Sequence, residues 1–140
     1  MKIDTARFGQ IIIEEDKIIA LPYGMLGFPD KKSFILTRHK ENSPFFWLQS
    51  IDDPDLAFVV TNPYLFKPDY KIDLNDVIKK MLWDKEAEYE LYVVVNIPRN
   101  SPEKMTANLI GPILINNSAC QAIQIIMPDS SYPHKYPLIS

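Results

Sequence analysis

Residues 45–60 read Phe45-Phe46-Trp47-Leu48-Gln49-Ser50-Ile51-Asp52-Asp53-Pro54-Asp55-Leu56-Ala57-Phe58-Val59-Val60. Two runs rich in aromatic and β-branched side chains flank an acidic turn that carries a proline. Pro54 fixes its own φ and has no amide proton to give a sheet ladder, so pairing stops there. Aspartates suit such turns because their carboxylates accept bonds from nearby backbone amides. The segment therefore predicts a β-hairpin with Asp52, Asp53 and Asp55 at its tip. No nucleophile sits beside a base in it.

Working outward, the N-terminal side offers two β-rich runs, Phe8 to Ile13 and Lys17 to Leu21, separated by Glu14-Glu15-Asp16 and expected to pair as a hairpin. A loop bounded by prolines follows, Pro22 to Pro29, holding two of the four glycines. Glycine there supplies backbone angles that other residues avoid. Ser33 to Arg38 is a further strand, and His39 to Pro44 is turn-like. Beyond the hairpin, Asn62 to Tyr70 carries two prolines and suits neither a helix nor a central strand. One helix is expected next. Asp73 caps it, Asp76 lies in its first turn and Lys79 and Lys80 near its end, in the sense of the helix dipole. Leu74, Val77, Ile78, Met81 and Leu82 share one face of it, closed by Trp83. Tyr89 to Ile97, Met105 to Leu109, Pro112 to Ile115 and Ala119 to Met127 read as strands, with Asn116-Asn117-Ser118 turning between the last two. The tail from Pro128 has no pattern.

The count is about nine short strands and one helix without strand–helix–strand alternation, which predicts a mostly β, antiparallel barrel-like or sandwich domain with one packed α-helix. The 140 residues suit one domain spanning residues 1–140. Twelve prolines against four glycines favour short strands and stiff loops over long helices. The formal net charge of −3 and pI near 5.3 oppose direct nucleic-acid binding, which needs a basic footprint. The opening residues lack the apolar core of a signal peptide, and no stretch reaches the length of a membrane span, so a reducing cytoplasm is the expected home.

Chemistry-bearing residues are sparse. Cys120 is the single cysteine and is expected to be a small buried hydrophobe in a strand. The two histidines, His39 and His134, fall in loops, and a Cys120–His134 dyad lacks the electropositive setting a thiolate needs. No metal-ligand spacing and no phosphate-binding glycine loop appears, so neither metal nor cofactor is expected. Paired carboxylates, as in a small β-barrel carboxylate hydrolase or sugar-binding enzyme, remain the alternative reading, and a direct RNA binder is a third. Surface contact is the better class. Tyr64, Phe66 and Tyr70 lie on a proline-stiffened loop suited to anchoring a partner, and Tyr23, Met25, Leu26 and Phe28 raise the same possibility. Glu86, Glu88 and Glu90 alternate as the wet face of a strand and could guard a sheet edge or face a basic partner.

Several of these segments, in order, resemble the flagellar assembly factor FliW family. They are Phe8-Gly9, the Ile11-to-Leu21 segment, Gly24-Met25-Leu26-Gly27-Phe28, Trp47 to Ser50 with Asp52-Asp53-Pro54 and Ala57-Phe58, Asn62-Pro63, Pro68-Asp69-Tyr70, Thr106 to Leu109 and Gly111-Pro112-Ile113. The resemblance implies a bacterial cytoplasmic, non-enzymatic protein with a barrel-like antiparallel fold, monomeric when free. It implies that the protein binds flagellin before export and also antagonises the small RNA-binding translational regulator CsrA away from its RNA-binding surface. On that reading the expected partner-binding residues are Gly24, Met25, Leu26, Phe28, Gln49, Asp52, Asp53, Asp55, Tyr64, Phe66 and Tyr70. The carboxylates would repel the phosphate backbone, and the aromatics would seat an amphipathic helix.

Overall fold

A computed structural model describes residues 2–6, 8–38, 40–127 and 130–139. His39 and Pro128, considered above, lie outside the described residues. The strands, in chain order, are β1 (Lys2–Thr5), β2 (Gly9–Ile12), β3 (Ile19–Ala20), β4 (Ser33–Arg38), β5 (Phe45–Ser50) and β6 (Ala57–Thr61). A short helix α1 (Asn75–Lys80) precedes β7 (Tyr89–Asn96), β8 (Thr106–Ala107), β9 (Ile113–Asn116), β10 (Gln121–Gln124) and β11 (Tyr136–Pro137).

Seven strands close on themselves in the order β3-β4-β5-β6-β7-β9-β10, with β10 returning to β3. Every step is antiparallel except that last one, where Ala20 pairs in parallel with Gln121. Closure leaves these strands without a free sheet edge along the ring. The β5–β6 hairpin forms as the sequence predicts, with Leu48 opposite Phe58 and Gln49 opposite Ala57. Alternation along β5 sends Phe46 and Leu48 into the barrel, where they join Leu21, Phe34, Val60, Ile113 and Ile115. Each such aliphatic or aromatic side chain contributes about 1.5–3 kcal/mol by leaving water. Trp47 points outward and meets Phe8 edge-on, with centroids 6.1 Å apart.

The N-terminal hairpin differs from the expected one. β2 pairs with β1, Ile3 opposite Ile11, and not with the segment after the acidic loop. The reason is local. Glu15–Lys17 winds as a 3-10 turn, closed by the Lys17 amide on the Glu14 carbonyl at 2.9 Å. That turn redirects the chain, so Ile19–Ala20 joins the barrel while β1–β2 stays a separate ribbon.

A second core lies outside the barrel wall. β8 pairs with β7 and β11 with β8, so the proline-rich tail folds back over Tyr70, Val93, Ala107 and Leu109. The helix is shorter than its pattern. Asp73 accepts the Asn75 amide at 2.9 Å, as expected of a start signal, and Leu74, Val77, Ile78 and Met81 are half-buried. Leu82 leaves that face. It takes a left-handed φ of 58°, ends the helix and is 91% exposed. Cys120 also departs from expectation. It sits with φ of 53° at the end of the β9–β10 turn, partly exposed, not within a strand.

Candidate functional site

The Gly24–Phe28 loop sits against the barrel core. Met25, 3% exposed, inserts among the core side chains, and Phe28 packs edge-on against Phe58 at 5.7 Å. The loop is held on itself by paired bonds, the Phe28 amide to the Met25 carbonyl at 2.7 Å and the Met25 amide to the Phe28 carbonyl at 3.3 Å. Gly24 allows this. Its φ is +66°, and a Cβ there would come within 2.4 Å of the Phe28 carbonyl oxygen. From β10, the strand that pairs with β3, Gln124 Oε1 accepts the Leu26 amide at 2.7 Å while its Nε2 donates to the Gly111 carbonyl at 3.0 Å. The result buries Met25 and displays Leu26, which is 71% exposed. Leu26 lines an open groove of about 300 Å³ with Tyr23, Gly27, Pro29 and Ile126.

The acidic turn is tied to the same region. Asp52 Oδ2 accepts the amides of Lys32 and Ser33 at 2.9 and 3.1 Å, linking the turn to the start of β4. Asp53 Oδ1 accepts the Asp55 amide at 3.0 Å, and Ser50 Oγ accepts the Asp53 amide at 3.0 Å. Gln49 is fully buried beneath the turn. Its Nε2 faces the carbonyls of Ser50, Leu56 and Pro54 at 3.0, 3.0 and 3.3 Å. Two of the three aspartates and Gln49 therefore build the turn; Asp52 and Asp55 are both exposed, but Asp55 is the one whose side chain makes none of these bonds.

The aromatic trio divides in the same way. Asn62 Oδ1 accepts the Tyr64 amide at 2.9 Å and starts a 3-10 turn over Pro63–Leu65. Tyr64, 42% exposed, borders a groove of about 320 Å³ whose wall includes Leu74, Tyr89, Leu91 and Leu114. Phe66 is half-buried and stacks on Phe45 at 6.5 Å. Tyr70 is 2% exposed and lies under Tyr132, with centroids 4.7 Å apart. Its hydroxyl donates to the Leu109 carbonyl. Burial, with Tyr132 and Tyr64 adding to it, pushes the Tyr70 phenol well above its usual range. Nearby, the Lys67 ammonium, 3.2 Å from Asp69, holds that carboxyl below the usual carboxylate range.

Among the expected contact residues, Leu26, Asp52, Asp55 and Tyr64 are exposed, and Phe28, Asp53 and Phe66 are half-buried. Gly24, Met25, Gln49 and Tyr70 are buried and serve as supports for their exposed neighbours, because each fills the core or satisfies backbone groups. Ile126 and Gln124 belong to the Leu26 surface and were not marked by the sequence. The single available hint was a glutamine inside the apolar run Ala119 to Met127.

Cys120, Tyr92 and Glu90 have structural partners. The Cys120 thiol donates to the Asp16 carbonyl at 3.3 Å. The Tyr92 hydroxyl donates to Glu90 Oε2 at 2.6 Å, and Nδ2 of the Asn117 side chain donates to the other carboxylate oxygen. Burial first, then that carboxylate, pushes the Tyr92 phenol up. Among the described residues no group of three or more His, Cys, Asp or Glu side chains is arranged to hold a metal ion. No helix of the described chain is long and apolar enough to cross a membrane.

Comparison with known proteins adds to this geometry. Residues 2–138 match the family model described as FliW protein. The "Flagellar assembly factor FliW" of Exiguobacterium sp. is 42% identical over 139 residues, covering 99% of this chain and 94% of the relative. That of Syntrophus aciditrophicus is 41% identical over 140 residues, covering 99% and 88%. A solved structure described as "Crystal structure of the flagellar assembly factor FliW" superposes with a TM-score of 0.89 at 33% identity, covering 100% of this chain and 98% of that one.

Proposed function

The chain belongs to the FliW protein family, a family of flagellar assembly factors and not of enzymes, and from that premise we propose that it is a cytoplasmic factor that binds flagellin and antagonises CsrA. The match across residues 2–138 carries this reading. The surface supports it. Rigid loops hold out Leu26 and Tyr64 above grooves, and a preorganised apolar side chain loses little entropy on docking. Flagellin's amphipathic helical segments would lie in such a groove.

Antagonism of CsrA follows from linkage. A factor that weakens RNA binding must itself bind RNA-free CsrA more tightly than the RNA complex. Acidic side chains near the docked regulator would supply the difference by repelling phosphate. Asp55, Glu86 and Glu88 are exposed and free to do so. Asp52 and Asp53 add their charge from positions fixed by backbone bonds. Flagellin and CsrA then compete for the factor, and flagellin level sets its own translation.

A pull-down from a flagellated bacterial lysate tests this. The tagged protein should recover a small RNA-binding protein, and excess purified flagellin should release it. Recovery of neither partner would end the proposal. The charge argument has its own check: Asp55→Lys, which breaks no bond made by an aspartate side chain, should weaken RNA displacement more at low salt than at high salt.

A further inference from the structure

Tyr23, Leu26 and Ile126 are 57%, 71% and 47% exposed and line one groove of about 300 Å³. Exposed apolar side chains gathered on one patch mark an interaction surface more often than single ones do. Here the backbone beneath is over-determined. Gly24 excludes a Cβ, Met25 is anchored in the core, and Gln124 on β10 holds the Leu26 amide. Leu26 is thus presented outward by contacts that would be equally well satisfied with a polar side chain at that position.

The charge beside the groove has a sign opposite to that of the whole chain. The Lys80 ammonium lies 4.6 Å from the centre of the Tyr23 ring. It takes no part in either ion pair among the described residues, Lys31 with Asp30 and Lys67 with Asp69. Asp30, the carboxylate next to Pro29, is engaged by Lys31 at 3.6 Å, and Asp52 is occupied by the amides of Lys32 and Ser33. The groove therefore offers an apolar floor with one cation at its edge that lies over the Tyr23 ring and makes no ion pair among the described residues, in a chain of net charge −3.

We propose that this groove seats an acidic amphipathic helix of a protein partner, its apolar face on Leu26, Tyr23 and Ile126 and a carboxylate at Lys80. An apolar groove of this kind reads a helix by side chains three and four positions apart. The cation fixes its direction and rejects a basic counterpart. The inference rests on the reading that this protein works by docking other proteins, and it adds which surface is used and what chemistry is read there.

Two short helical peptides test it, one of leucine and glutamate and one of leucine and lysine, titrated against the full chain. The net charge alone favours the lysine peptide, whereas the groove favours the glutamate peptide. Expected results are tighter binding of the glutamate peptide and amide NMR shifts at Leu26 and Ile126. Leu26→Ser should lose roughly tenfold in affinity, the transfer cost of one leucine. Lys80→Glu should reverse the preference between the peptides. Ile12→Ser, at an apolar side chain outside the groove, should change nothing. Tighter binding of the lysine peptide, no binding of the glutamate peptide, or indifference to Leu26→Ser in a variant that keeps its melting temperature would overturn the proposal. Flagellin and CsrA are titrated in parallel. If both bind but ignore Leu26→Ser and Lys80→Glu, the groove proposal falls and the functional reading stands. If neither binds while the peptides behave as expected, the functional reading falls and the groove stands.

Discussion

Gln49 offers the most direct test of how the acidic turn is held. Its side-chain amide has two protons and faces three carbonyls, of Ser50, Leu56 and Pro54. The Leu56 carbonyl also takes the Ser50 amide at 2.9 Å, and the Pro54 carbonyl takes the Ala6 amide at 3.0 Å. Replacement by methionine keeps the volume and removes both donors, so the Ser50 carbonyl loses most. One orphaned buried acceptor costs about 1–3 kcal/mol. Part of that is returned, because Gln49 Oε1 is itself buried with no donor among the described residues. The net expectation for Gln49→Met is a loss of about 1–2 kcal/mol. In a chain of this size that lowers the melting temperature by roughly 3–8 °C. Gln49→Glu should be far worse at neutral pH, since a carboxylate would face three carbonyl oxygens in a fully buried site. Such a glutamate has a folded pKa raised above its unfolded value. Its deficit is then smallest below the unfolded value of about 4.3 and grows as pH rises. Urea titrations of both variants at about pH 4 and about pH 7, below and above the unfolded glutamate value, are the assay. A neutral or stabilised Gln49→Met, or a glutamate variant whose deficit ignores pH, would refute the claim that these bonds hold the turn.

Four other outcomes follow from the same structure. Gly24→Ala places a methyl against the Phe28 carbonyl at a left-handed φ, and chemical denaturation should show a loss of about 2–4 kcal/mol. Asp52→Ala removes the acceptor of two backbone amides and should cost about 1–3 kcal/mol, while Asp55→Ala should be close to neutral by the same measurement. Tyr70 and Tyr92 both have phenols raised by burial, so their contribution to stability is complete below the unfolded value near 10 and is lost as pH climbs toward the folded value. Stability should fall above about pH 10 by up to roughly 1.4 kcal/mol per pH unit for each, and Tyr70→Phe or Tyr92→Phe should flatten that slope in alkaline melts. Tyr64→Ala should leave the melting temperature within about 2 °C of wild type yet weaken flagellin binding in calorimetry; equal affinity would remove Tyr64 from the contact surface.

Local sequence signals foretold what local physics decides. Ser33–Arg38 is a strand at the expected residues, and the β5–β6 hairpin has the expected turn, because alternation and a proline act within a few residues. The expected pairing of Phe8 to Ile13 with Lys17 to Leu21 does not form, because the partner choice is made elsewhere. Lys2–Thr5 competes for β2, and β10 competes for Ile19–Ala20. Helix α1 stopped early because Leu82 turned left-handed, which a face of regularly spaced apolar residues does not reveal. Exposure at the candidate surface was half legible. Residue type marked Leu26 and Tyr64, but the same reasoning marked Met25 and Tyr70, whose neighbours bury them. An aromatic on a proline-bearing loop looks the same in sequence whether a tail such as Tyr132 covers it or not. Ile126 comes beside Leu26 because Gln124, two residues before it, holds the Leu26 amide, and no window of sequence contains both partners.

The parallel contact between Ala20 and Gln121 sets a schedule for the newborn protein. A ribosome delivers Ala20 well before Gln121, and only the strand that carries Gln121 completes the ring. Until then Ile19 and Phe34 have no sealed interior to enter, and local hairpins such as β5–β6 are all that can form in advance. Only after β10 has followed can the molecule shelter anything, itself included.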